Sequence, residues 1–488
     1  MITALILLVA LVILGWGLYR AQPMGKLGIL AWFQSVALML PWLLFFGLSA
    51  AGVVMNLASV LFLLVGSTGV YIVLGRQVRA IASQTPPNLP EKLPIEAPSP
   101  APISPEPAPI LPTPALEEPA MPAEDVQAAR GIFGIDTFFA TETIPYQDGV
   151  IFRGNLRGEP NASHEQLSTS LKARLGDRYR LFLVEGSDGK PVVVVLPSAN
   201  DPKPTTVTQG LLAIVLGLAT IATSLETAGI LKGFDFFNNP QRYQEILPMS
   251  LGILLFLAAY ELCRRWIARQ RQVRLSPPFF LPAIQIGSFG ALTRFQSLLP
   301  DRSALFDIAF AGPAAGGLVA LGMLVAGLLL STPTSLFQIP AAFFQGSILV
   351  GTLAKVVMGS ALQEPLVSIH PLVVIGWLGL VITAINLMPA GQLDGGRIVQ
   401  SIYGRKTAGR TTVATLIVLG IATLANPLAL YWAIVILVLQ RNLERPALNE
   451  LTEPDDARAA LGLLVLFLMV ATLLPLTPGL AGRLGIGG

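Results

Sequence analysis

Apolar positions in this chain fall in long unbroken runs rather than at the alternating or three-to-four spacing of an element with one wet face. Ten runs approach the roughly 20 residues that cross a bilayer. They cover Ile2–Leu18, Leu27–Leu48, Val53–Leu74, Gln209–Leu225, Leu247–Ala259, Ala304–Leu330, Leu372–Leu387, Thr412–Leu424, Pro427–Leu439 and Leu461–Leu476. Phe343–Val357 reads as a short or re-entrant segment. The pattern predicts a mainly α polytopic membrane protein of about ten spans. No basic residue precedes the first run, so it reads as an anchor rather than a cleaved signal.

The pattern changes between Gly131 and Pro197, where short alternating stretches predict a small α+β soluble domain. Thr137–Ala140 and Gly149–Arg153 read as strands, and Ser163 with Gln166 as the capping box of a helix running to Leu175. Tyr179–Glu185 and Pro191–Leu196 flank Ser187, Asp188 and Gly189, a hairpin signal. His164, in that helix's first turn, is expected to be solvated. Before this domain, Pro86–Pro122 holds 14 prolines in 37 residues and reads as an extended linker. The predicted organisation is an N-terminal anchor of three spans (1–80), the linker (81–127), the soluble domain (128–203), a membrane core (204–450) and a C-terminal span with its tail (451–488).

Composition supports the membrane assignment: of 488 residues, 53% are hydrophobic and 12% charged. The net charge of +3 gives no reason to expect a nucleic-acid partner, so the bilayer is the partner implied. Basic residues cluster at run ends, at Arg20 and Lys26, at Arg76 and Arg79, and at Arg264, Arg265, Arg269, Arg271 and Arg274. By the positive-inside rule these ends, and with them the soluble domain, belong on the cytoplasmic side. One cysteine, Cys263, excludes a disulfide framework and any multi-cysteine metal site. The two histidines, His164 and His370, lie far apart in sequence.

The chemistry concentrates in Asn386–Gly396 (NLMPAGQLDGG). Asn386 and Pro389 interrupt the helix just before Asp394, and Gly395 and Gly396 free the backbone just after it. A carboxylate at a membrane face is costly and points to a functional site with a partner. The alternative is an ordinary helix end with Asp394 at the interface, since Asp-Gly pairs are common in turns. The segment Pro277–Gly290 is apolar but too rich in proline and glycine for a helix, and is expected to be strand-like or re-entrant beside a cavity. The small residues of Ala311–Gly317 predict a helix central to the bundle.

These surroundings resemble the site-2 protease family of intramembrane zinc metalloproteases, nearest its plastid and cyanobacterial ethylene-dependent gravitropism-deficient and yellow-green branch. The likeness rests on GIFGIDTFF at 131–139, VIFRGNLR at 150–157, LSPPFFLP at 275–282, IGSFG at 286–290, SALFDIA at 303–309 and the Asp394 motif. Such a family site takes two histidine zinc ligands from an H-E-x-x-H turn, its glutamate as general base, and a third ligand from the Asp-Gly motif. Here Glu261 and Asp394 occupy the base and third-ligand positions, while Tyr260 and Arg264 stand where the histidines belong. Arginine cannot become a ligand and tyrosine is a poor one at neutral pH. The resemblance therefore implies a non-catalytic pseudoprotease without a cofactor. The open alternatives are an active protease whose unorthodox site holds zinc, drawing on Glu261, Cys263 and Asp394, and a transporter with a polar pathway. A client groove is expected at Phe289, Gly290, Asn386 and Pro389, with single-span membrane proteins as clients, and Arg264 is expected to pair with Asp394. The branch implies a plasma or thylakoid membrane.

Overall fold

The computed structural model describes residues 121–486 apart from 147, 187, 285, 336, 424–426 and 438–441, with scattered positions between 18 and 77. Apart from those positions, the first three predicted spans and residues 81–120 of the linker lie outside the described residues. The chain divides into two compact units, residues 1–116 with 416–439 and residues 117–415 with 440–488.

The second unit begins with helix α1 (Ala123–Arg130) and a four-stranded sheet. Its strands β1 (Phe138–Tyr146), β2 (Gly149–Leu156), β3 (Tyr179–Glu185) and β4 (Pro191–Pro197) are all antiparallel, in the order β1-β2-β4-β3. Helix α2 (Pro160–Leu175) lies between β2 and β3 in sequence. It buries Leu167 and Leu171 with Phe138, Phe152, Leu183, Val193 and Val195 to make the domain's core. The cap differs from the expected one. Pro160, fixed at a helical φ, starts the helix four residues earlier, and Glu159 rather than Ser163 is the cap, accepting from the Ala162 amide at 3.2 Å. Ser163 is therefore inside the helix and buried. His164 is half-buried rather than solvated: its Nε2 lies 3.4 Å from the Leu181 carbonyl and 3.3 Å from Ser168 Oγ. Burial lowers its pKa from 6.5, with the Leu181 carbonyl opposing.

The outer edge of β3 is covered by the chain near residue 449. Leu183 donates to the Leu448 carbonyl at 2.8 Å and accepts from the Glu450 amide at 2.9 Å. The same segment bridges Asp301, so one strand-like piece contacts both the four-stranded sheet and the start of the helix Arg302–Leu330.

Among the described residues, four helical segments are long and apolar enough to span a membrane: Val207–Leu231, Pro240–Gln270, Arg302–Leu330 and Asp456–Leu473. Helices α3 (Val207–Leu231), α4 (Tyr243–Gln270) and α5 (Arg302–Leu330) outrun their apolar stretches because polar flanks continue the turns. Helix α6 (Ile348–Met358) is short, as expected, and α7 (Pro371–Asn386) has 16 residues. Helix α8 (Asp394–Ala422) is broken at Gly404, whose φ of 78° lies in the left-handed region. Helix α9 (Pro427–Val435) belongs to the first unit, and α10 (Asp456–Leu473) packs on α7 and α6. The Pro277–Gly290 region holds a hairpin, β5 (Phe279–Ala283) with β6 (Gly287–Leu292). Helix α5 lies against both α4 and α7 and is central, as its small residues predicted.

Candidate functional site

Tyr260 and Arg264 are four apart on α4 and share one face, with Glu261 beside them. That face meets α5 at Gly312 and Gly316. A methyl group added at Gly316 would fall 2.5 Å from Tyr260 Cδ2, and one at Gly312 would fall 2.6 Å from Tyr260 Cε1 and 3.1 Å from Arg264 Nη2. The two glycines are therefore the floor on which the Tyr260 ring and the Arg264 guanidinium lie.

Asp394 comes from the other side, as the first residue of α8. The chain leaves α7 at Asn386 and turns through Pro389 and Gly391 (φ 50°) before α8 begins. A Cβ at Gly395 would sit 1.8 Å from the Leu387 carbonyl oxygen, and one at Gly396 2.3 Å from that of Gly391. Only glycine lets the new helix start so close to the incoming chain. This turn sets the Asp394 carboxylate against α4.

There it accepts two hydrogen bonds on Oδ2. Tyr260 donates its hydroxyl at 2.6 Å, and Arg264 donates through Nη2. The guanidinium also donates from Nη1 to Glu261 Oε1 at 3.2 Å, and Thr293 donates to the other Glu261 oxygen at 3.2 Å. Thus the expected Arg264–Asp394 pair is present, with Glu261 as the second acceptor. All three charges are nearly dry, 2% exposed at Arg264, 3% at Asp394 and 5% at Glu261. Ions so buried persist only when paired and hydrogen-bonded.

A second layer was missed from the sequence. Arg397, one turn after Asp394, approaches Asp394 Oδ1 at 3.8 Å. It donates to Glu444 Oε2 at 2.8 and 3.0 Å and to the Thr293 carbonyl at 3.0 Å. It is buried, not the topology-setting arginine it resembles in sequence. The i, i+3 spacing from Asp394 was the available signal; Glu444 and Thr293 carried none.

The hairpin reaches the same place from β6. Asn386 donates its amide to the Ile382 carbonyl at 2.8 Å and to the Phe289 carbonyl at 3.3 Å, and a Cβ at Gly290 would lie 3.1 Å from that amide nitrogen. The Asn386 amide expected to reach a client is thus engaged within the chain, where it ties α7 to β6. Pro389 is half-buried in the turn, its carbonyl 3.4 Å from Thr415 Oγ1.

Neither histidine joins the site. His370 caps the far end of α7, accepting from the Leu372 amide through Nδ1 at 3.3 Å. Sixteen residues put that end about 24 Å along the helix from Asn386. His164 is on α2, against the four-stranded sheet. Cys263 is half-buried on α4, one residue off the face that meets Asp394.

The donor set does not fit a zinc ion. Beside Asp394 stand a phenol whose hydroxyl proton is directed at the carboxylate and a guanidinium with donors only. Both Glu261 oxygens already accept hydrogen bonds. The cavity bordered by Arg264, Asn386, Asp394 and Arg397 measures about 20 Å³, and two of those side chains repel a cation. Among the described residues, no group of three or more His, Cys, Asp or Glu is arranged to hold a metal.

Residues 248–426 match the profile of peptidase family M50, and residues 127–203 match the EGY3 middle domain. The chain is 40% identical over 363 residues to the probable zinc metalloprotease EGY2, chloroplastic, of Arabidopsis thaliana, covering 73% of this chain and 65% of that relative. It is 38% identical over 394 residues to the probable zinc metalloprotease EGY1, chloroplastic, of the same plant, covering 73% and 72%. With the probable zinc metalloprotease EGY3, chloroplastic, of Oryza sativa subsp. indica, it shares 31% over 389 residues, covering 74% and 66%. The chain thus spans just under two thirds of the first relative's length. No solved structure matches.

Proposed function

This chain belongs to peptidase family M50, the site-2 proteases, and on that premise we propose that it is a non-catalytic pseudoprotease. It keeps the family's membrane core and binds segments of client membrane proteins without cleaving them, acting as a chaperone, scaffold or regulator. One observation carries the reading: the Arg264 guanidinium lies against the Asp394 carboxylate. A fixed cation there supplies the positive charge the carboxylate needs when buried, and leaves no ligand set for a metal. Glu261, at the general-base position, is idle in this reading, since Arg264 and Thr293 hold its two oxygens.

In the same reading the chain crosses the membrane about ten times, with the soluble domain on the cytoplasmic face. The basic residues Arg265, Arg269, Arg271 and Arg274 at one end of α4 support that orientation. The relatives' chloroplastic names favour a membrane of a photosynthetic cell.

Zinc content per chain tests the proposal, after purification without added metal. The expected result is far less than one zinc per chain and no change in thermal unfolding when a chelator is added, because a metal bound to the native state would raise its stability. A stoichiometric, tightly held zinc would overturn it.

A further inference from the structure

The soluble sheet is apolar on both faces. Its strand β4 reads Pro-Val-Val-Val-Val-Leu-Pro and β3 reads Tyr-Arg-Leu-Phe-Leu-Val-Glu, a pattern expected of strands covered from both sides. Helix α2 covers one face. On the other, Ile144, Ile151, Phe182, Val192, Val194 and Leu196 form the floor of a cleft of about 860 Å³. Leu298, Arg445 and Pro446, from outside the sheet, also line it.

This cleft continues toward the Asp394 site. Asn200, Asp201, Leu298, Arg445 and Pro446 also line a second cavity of about 580 Å³, which extends to Arg294, Gln392 and Glu444. Arg294 and Gln392 in turn border the small cavity at Arg264, Asn386 and Asp394. Shared walls thus connect the sheet face to the buried ion network.

We infer that this connected cleft binds the water-exposed segment beside a client's membrane span, held in an extended conformation; the inference rests on the client-binding reading above. An extended chain alternates its side chains, so every second apolar residue would lie on the floor and the others would face the opposite wall. Charges of both signs rim the floor, Asp148 and Glu185 with Arg153 and Arg445, which favours a mixed polypeptide over a simple anion. Strand addition at the β3 edge is blocked, because Leu448 and Glu450 already take the Leu183 backbone groups. The segment is therefore placed on the face and not at that edge. The path ends at the helices that carry Asn386 and Asp394, which is where a span emerging from the membrane would be met.

Photoreactive residues placed singly at Val194 and at Phe289 in the full chain, in membranes, test this. Both positions should capture the same single-span proteins, with Val194 adducts mapping to residues just outside the client's span. Val194→Asp and, separately, Ile144→Asp should each lower capture at Phe289 roughly tenfold, the loss expected from placing a charge on a buried apolar contact. Thermal unfolding of each variant is read alongside, and Ile144, half-buried on the first strand, carries the test if Val194→Asp disturbs the sheet. Capture at Val194 of residues 81–120 of the same chain, of a second copy, or of lipid alone overturns the inference. So does undiminished capture at Phe289 by folded variants. Capture at Phe289 without capture at Val194 removes the cleft but leaves the client-binding reading standing; capture at neither removes both.

Discussion

Replacing Arg264 or Asp394 by leucine separates an ion pair from an arginine and an aspartate that merely sit near each other. The two single losses are not equivalent. With Arg264→Leu, Asp394 keeps the Tyr260 hydroxyl at 2.6 Å and a more distant Arg397 at 3.8 Å. Glu261 keeps only Thr293 at 3.2 Å. Two buried carboxylates lose their nearest cation. With Asp394→Leu, the guanidinium still donates to Glu261, and the main new orphan is the Tyr260 hydroxyl. Breaking a buried pair costs about 3–5 kcal/mol. Arg264→Leu is therefore expected near the top of that range and Asp394→Leu near the bottom. The double variant should cost less than the sum by about 2 kcal/mol or more, because it removes charge of both signs together. Urea or thermal unfolding in detergent, followed by tryptophan fluorescence, measures all four corners of the cycle. Strictly additive losses would refute the argument, and so would a single Asp394→Leu loss larger than that of Arg264→Leu.

Three further outcomes follow from the packing and the soluble domain. Gly316→Ala places a methyl 2.5 Å from Tyr260 and should destabilise by about 1–3 kcal/mol, whereas Gly322→Ala on the same helix meets nothing within 4 Å and should be neutral or slightly stabilising, as read by the unfolding midpoint. His164 resists protonation in the folded domain, so its unfolded form binds more protons near pH 6.5; stability should be complete above that value and decline as pH falls through it, and His164→Gln should flatten the slope in pH-dependent unfolding curves. Residues 117–203 expressed alone should give dispersed amide resonances but unfold about 1–3 kcal/mol more easily than when Leu448, Glu450 and Leu451 cover the β3 edge, and an undispersed spectrum would show that the domain needs that cover.

Much of the site was legible because its constraints are local. An i, i+4 spacing puts positions 260 and 264 on one face wherever α4 is helical, and a carboxylate buried at the start of α8 stays charged only with a partner. The pairing follows once α4 and α8 are adjacent. The helix bounds were less legible, since hydropathy reports the membrane slab and not where turns end: α4 continues from Ala259 through Arg264 to Gln270 without a break in its hydrogen bonding. Ser163 misled because a proline at the first helical position outweighs a downstream hydroxyl in choosing the start.

What stayed hidden was whatever the fold brings from a distance. An arginine after an apolar run looks the same whether it reaches into the headgroups or turns inward, and Arg397 turns inward because Glu444 and the Thr293 carbonyl are there to receive it. Neither partner is local, at 47 and 104 residues away. Their presence changes the physics of the first layer. Arg264 and Arg397 together face Asp394, Glu261 and Glu444, so the buried cluster holds two cations and three carboxylates. A cluster short of one positive charge tolerates the loss of a carboxylate better than the loss of a guanidinium, which is the same ordering that local hydrogen bonds give for Asp394→Leu against Arg264→Leu. Arg397→Leu should then rival Arg264→Leu in cost although it lies one layer further from Tyr260. Unfolding of that variant in detergent checks the charge count, and a loss much smaller than that of Arg264→Leu would mean that Glu444 is neutralised by its surroundings instead.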